Sequence, residues 1–147
     1  VNISLAQART ICDAALAKGR EQGFAPLTVA VLDSGGTLVC LVREDNSSLL
    51  RPDIAIGKAW GTLGMGFGGR ELQRRAEAMP NFVNALAMMS GGRVVPVPGG
   101  ILVRDKTGAI SGAVGISGDT SLNDELCAVH AVIAAGLYAD TGDKGNE

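Results

Sequence analysis

The chain has 147 residues, enough for one domain of ordinary size, and its 13 basic against 15 acidic side chains leave no basic stripe for a nucleic-acid backbone. Apolar residues make up 46% and charged ones only 19%, so the chain is expected to fold and to bury part of its surface against copies of itself. The most apolar stretch, Ile54 to Gly69, contains the charge of Lys58 and is broken by glycines, which excludes a membrane span there.

In chain order, Leu5, Ala8, Ile11, Cys12, Ala15 and Leu16 recur at three- and four-residue intervals, predicting an amphipathic helix over Ser4 to Gly23. Leu27–Asp33 and Thr37–Glu44 flank Ser34-Gly35-Gly36, and Ile101–Arg104 and Ala109–Ser117 flank Asp105-Lys106-Thr107-Gly108. Both pairs read as hairpins, so the sheet is expected to be antiparallel. Between them, Pro52 to about Gly64, Arg70–Met79 and Asn81–Ser90 read as helices divided by glycine and proline. Arg93–Val97 reads as a short strand at an edge or a strand end because of Pro96. The final element, Leu122 to Ala139, carries Leu122, Leu126, Val129, Ile133 and Leu137 on one face. It is expected to cover the sheet with that face. Residues 140–147 are polar and predicted to fray as a flexible tail behind a single domain of residues 1–139.

The N-terminal residues contain no basic segment followed by an apolar one, and Cys12, Cys40 and Cys127 are odd in number and far apart. These features predict reduced core thiols and a cytoplasmic location.

Gly64-Met65-Gly66-Phe67-Gly68-Gly69 matches the dinucleotide fingerprint by letter. That motif requires a preceding strand, and here a helix precedes it, so a helix connector is the better reading. Cys127 and His130 lie one helical turn apart but make only half of a zinc site, and no metal is expected. As a thiolate pair they would lie on an apolar stripe, where burial raises a thiol pKa. Ser117 in Gly115-Ile116-Ser117-Gly118-Asp119 lacks the closing glycine of an esterase elbow.

Lys58 is more informative: an ammonium on so apolar a helix either snorkels to solvent or meets an anion. Arg51 adds a cation at the helix start and Asp53 complements the helix dipole there, and the three together could bind a carboxylate. The corner from Gly112 to Glu125 ends a strand and starts a helix capped by Thr120 or Ser121, with capping-box spacing between Ser121 and Asp124. The carboxylates of Asp124 and Glu125 disfavour a phosphate at that corner.

Ser4-Leu5-Ala6-Gln7-Ala8, Val31-Leu32-Asp33-Ser34-Gly35-Gly36, Arg51-Pro52-Asp53-Ile54-Ala55-Ile56-Gly57-Lys58-Ala59, Pro98-Gly99-Gly100-Ile101, Gly112-Ala113-Val114-Gly115-Ile116-Ser117-Gly118 and Asn123-Asp124-Glu125 occur in that order. Together they resemble the GlcG/HbpS-like family from Ile3 to Leu137. The resemblance implies an α/β (α+β), profilin-like domain with a five-stranded antiparallel sheet flanked by helices on both faces. It also implies homo-oligomers that act as accessory proteins near catabolic pathways for small organic acids and diols. Some members bind haem, and the corrinoid adenosyltransferase PduO carries a related domain. Where related domains place an axial histidine in the first helix, this chain has Ala8, Cys12 and Ala15. His130, in the last helix, is then the candidate haem ligand.

The leading expectation is a homo-oligomeric, cytoplasmic accessory protein that binds a small molecule, with weak haem or tetrapyrrole binding. Its ligand-binding residues are Arg51, Asp53, Lys58, Gly99, Gly100, Ser117, Asp124 and Glu125. The alternative is a cofactor-free hydrolase, deaminase or isomerase acting on a small carboxylated catabolic intermediate. In that reading Arg51 or Lys58 holds the carboxylate and Glu125 moves a proton, with Lys58 and Glu125 the catalytic candidates. A third reading is a structural subunit of a larger complex.

Overall fold

The computed structural model describes residues 1–144. Its elements in chain order are α1 (Leu5–Gln22), β1 (Thr28–Asp33), β2 (Leu38–Arg43), α2 (Arg51–Met65), α3 (Gly69–Ala78), α4 (Pro80–Met89), β3 (Gly100–Arg104), β4 (Ile110–Ser117), α5 (Ser121–Ala134) and β5 (Tyr138–Asp140). The strands form one sheet in the order β2-β1-β4-β3-β5, and every pairing is antiparallel. The two hairpins therefore sit side by side, joined through β1 and β4.

Strand alternation divides the core between two layers. Val29, Val31, Ile101, Val103, Val114 and Ile116 point to one face, where Ala8, Ile11, Cys12 and Ala15 of α1 and Cys127, Ala128, Ala131 and Val132 of α5 cover them. On the other face Leu32 and Ala113 meet Ala59 of α2, with Trp60 and Leu63 packed alongside. Small residues govern this second layer. A Cβ on Gly115 would overlap the Ala55 carbonyl and one on Gly100 the Lys58 carbonyl, so α2 lies with its backbone almost on the sheet.

Local chemistry sets the boundaries. Ser4 and Gln7 form a reciprocal capping box at the start of α1, and Gly23, at φ 69°, closes it. Gly66, at φ 82°, ends α2 and Gly68 precedes α3, so the Gly64–Gly69 segment joins helices, as expected.

Three expectations need correction. Arg93–Val97 is not a strand: prolines at 96 and 98 remove ladder donors, and the segment instead runs along α2, where the Val95 amide donates to the Gly57 carbonyl at 3.2 Å. The fifth strand is β5, because Gly136 at φ 76° stops α5 early and lets Leu137 turn back so that Tyr138–Asp140 pairs with β3. The tail expected from residue 140 is held through Gly142: Asp140 pairs with Arg104 at 2.9 Å, the Arg70 amide donates to the Thr141 carbonyl, and Arg74 donates to the Gly142 carbonyl. Residues 145–147 of that tail lie outside the described residues.

The third correction concerns α5. Leu122, Leu126 and Ile133 are 60%, 42% and 62% exposed, and its buried face is built from Asp124, Cys127, Ala128, Ala131 and Val132. The small side chains win the inner face because α5 packs against both α1 and the sheet, where close approach gains more contact than bulk would.

Candidate functional site

The site starts where β4 hands over to α5. Gly118 permits the turn because a Cβ there would overlap the Pro26 carbonyl. Asp119 accepts from the Ala25 amide at 2.8 Å, the Thr120 amide at 2.8 Å and the Asn123 side chain at 2.7 Å. These donors hold its carboxyl below the usual range. Thr120 caps α5 through the Asn123 amide. The expected Ser121–Asp124 capping box does not form, because Asp124 turns inward.

Asp124 and Lys58 are a buried ion pair. The Lys58 Nζ donates to Asp124 Oδ2 at 3.0 Å and to the Ile116 carbonyl at 2.9 Å, while Asp124 Oδ1 accepts from the Asp119 amide at 2.9 Å. Lys58 therefore neither snorkels nor waits for a ligand; its anion is supplied 66 residues along the same chain. Burial pushes Asp124 up and Lys58 down, and each is held back by the charge of the other. Gly99, at φ 107°, passes so close that a Cβ would crowd Lys58 Nζ and Asp124.

Arg51 completes this cluster, donating from Nη1 to Ser117 Oγ at 3.0 Å and from Nε to Ser48 Oγ at 3.2 Å. Of the residues singled out in the sequence, the fold thus gathers Arg51, Lys58, Gly99, Gly100, Ser117 and Asp124 into one corner. Asp53 is exposed and caps nothing; Leu50 occupies the N-cap of α2. The corner is packed with its own polar partners, and no buried side-chain N or O among the described residues is left without one.

Glu125, the next residue, faces a different space. It accepts from Arg70 Nε at 3.0 and 2.9 Å and from Arg70 Nη2 at 2.6 Å, a two-pronged pair. Around it lies an open cleft of about 570 Å³, lined by Lys18 and Gln22 of α1, Arg70 of α3, and Leu122, Glu125, Leu126, Val129 and His130 of α5. The sequence pointed to Glu125 and His130 but not to Arg70, Lys18 or Gln22. No spacing in the sequence relates those three to α5.

Two alternatives fail on geometry. Cys127 is fully buried while His130 is exposed, so they form no thiolate pair, and burial pushes the Cys127 thiol up to about 11. Ser117 Oγ is occupied by Arg51. Among the described residues no three His, Cys, Asp or Glu side chains cluster to hold a metal ion, and no helix is long and apolar enough to cross a membrane.

Comparison with known proteins agrees with this architecture. The family model described as "Haem degrading protein HbpS-like" matches residues 3–133. An uncharacterized 15.0 kDa protein encoded in the dhaT-dhaS intergenic region of Citrobacter freundii is 30% identical over 130 residues, covering 88% of this chain and 89% of that protein. The PduOC:heme complex superposes with a TM-score of 0.83 at 25% identity, covering 97% of this chain and all of that one. Klebsiella pneumoniae ORFY gives 0.83 at 28% identity, with 92% of each chain covered. The sheet, the two helical layers and the sequence match over residues 3–133 agree: the chain belongs to the HbpS-like family.

Proposed function

We propose that this protein is a ligand-binding accessory protein whose ligand, of the haem or tetrapyrrole class, lies in the cleft between α1, α3 and α5. The observation that carries the reading is the cleft itself. Leu122, Leu126 and Val129 give it an apolar wall, Lys18 and Arg70 give it cations, and His130 gives it an imidazole. Its volume lies in the range of small-molecule sites. A flat apolar macrocycle with anionic propionates fits that donor set: the aliphatic wall would take the ring, Lys18 would hold a propionate, and His130 would be the residue to ligate the iron. The haem of the PduOC:heme complex supports the ligand class.

The binding is weak in this proposal, since the cleft is open and provides one histidine. Titration with haem should give a Soret shift that His130→Ala reduces and that a haem scavenger reverses. A tight complex that survives the scavenger and is unchanged by His130→Ala overturns the site.

The same proposal includes a homo-oligomer in the cytoplasm serving a catabolic pathway. The oligomer is supported by the low charge and the exposed apolar side chains of Leu49, Leu50, Met88 and Met89, away from the cleft. Solution mass by light scattering should exceed the 15.0 kDa of one chain. The cofactor-free enzyme reading is less favoured, because Glu125 is held by Arg70 and Lys58 by Asp124, leaving neither free to move a proton.

A further inference from the structure

The cysteines offer a feature outside the cleft and its ligand. Cys12 and Cys40 are 28 residues apart in the chain, yet their sulfur atoms lie 3.5 Å from each other. Cys12 sits on the inner face of α1 and is 1% exposed. Cys40 is half-buried on β2, an edge strand of the sheet. Cys127 is sealed in the core and has no sulfur partner. All three are free thiols.

We propose that Cys12 and Cys40 form a reversible disulfide in response to a hydroperoxide, tying α1 to the edge strand β2. A disulfide requires the sulfurs to close from contact to about 2.05 Å, a displacement of about 1.5 Å that rotation of the two side chains and a small shift of an edge strand can supply. The edge position matters, because β2 is hydrogen-bonded to a neighbour on one side only.

The chemistry balances in two steps. The Cys40 sulfur, the one within reach of solvent, attacks the peroxide, whose O–O bond breaks. Cys40 becomes a sulfenic acid and the peroxide leaves as water or an alcohol. The Cys12 sulfur then attacks the Cys40 sulfur, the S–O bond breaks, and hydroxide leaves with the Cys12 proton as water. Two thiols have lost two electrons, and the peroxide has taken them. Burial and the adjacent sulfur hold the Cys12 thiol well above the ordinary thiol range, which leaves the first attack to Cys40; Cys12 serves as the resolving thiol because its sulfur already lies 3.5 Å from that of Cys40.

The experiment treats the purified protein with a modest excess of hydrogen peroxide, quenches, denatures and counts free thiols by alkylation. The count should fall from three to one, with the intact mass lower by about 2 Da and no change in chain number. Digestion with trypsin without reductant should yield residues 10–18 joined to residues 21–43, and a dithiol reductant should restore all three thiols. In Cys12→Ala the Cys40 sulfenic acid has no partner and should be captured by dimedone, whereas Cys127→Ala should still cross-link. Oxidation of Cys40 to sulfinic acid in the unaltered protein with no joined peptide overturns the proposal. So does a disulfide that links two chains.

Discussion

The most consequential side chain is Lys58. A lysine buried to 3% exposure is tolerated only because Asp124 Oδ2 and the Ile116 carbonyl receive its protons. Removing one partner of such a pair leaves the other charge buried and alone, at a cost of about 3–5 kcal/mol, whereas replacing both with apolar groups of similar volume is often near neutral. Lys58→Met should therefore lower the urea unfolding free energy by about that amount, and Lys58→Met with Asp124→Leu should recover much of it. A loss of only a few tenths of a kcal/mol, as for a surface lysine, would show that the pair is hydrated and structurally idle. The isolation of Lys58 on an apolar helix is visible in the sequence. Its partner is not, because it lies 66 positions along the chain and other carboxylates are equally eligible by composition.

Between elements, the approach of α2 to the sheet is set by glycines on both sides. Gly57 and Gly61 leave room for Val95 and Val94 on one flank of α2, and Gly115 accepts the Ala55 carbonyl against β4. Gly115→Ala drives a methyl group into backbone that cannot rotate away, so α2 must shift outward. A destabilisation of about 1–3 kcal/mol or more is expected, and it is checked by denaturant melts. Gly108→Ala is an informative contrast: nothing lies near its Cβ, and the strain comes only from its φ of 87°. If Gly115→Ala costs no more than Gly108→Ala, close packing is not what the glycine serves. The helix–strand periods, both hairpins and the glycine connector were legible because they depend on local pattern. The inner face of α5 was not, since its large aliphatic stripe reads as core until α1 and the sheet compete for contact with its small side chains.

For the molecule as a whole, pH acts through carboxylates of opposite disposition. Asp119 is held down by donors from three residues, so its contribution to stability is present above the unfolded value of about 3.9 and is lost as pH falls through the lower folded value. Asp124 is raised by burial, so its contribution is fully present below the unfolded value and declines as pH rises through the folded one. Asp119 faces the loop that joins α1 to β1 and also binds the first turn of α5, so its protonation loosens two layers together. Urea midpoints should fall as pH drops from about 5 through the unfolded carboxyl value of about 3.9 and below it, more steeply in the unaltered protein than in Asp119→Asn. Parallel profiles would remove Asp119 from the acid transition.

At that same scale, the amino-acid order by itself determined the helix and strand periods and the antiparallel sense of the sheet. Each of these follows from side-chain spacing against a fixed backbone geometry. Tertiary structure decided what spacing cannot express. It joined Lys58 to Asp124, brought Arg70 onto Glu125, set Cys12 against Cys40, and turned Leu137 back so that β5 could pair with β3. These contacts depend on how layers stack and on which of several equivalent partners is brought within hydrogen-bonding distance, and that is settled only when the whole core closes.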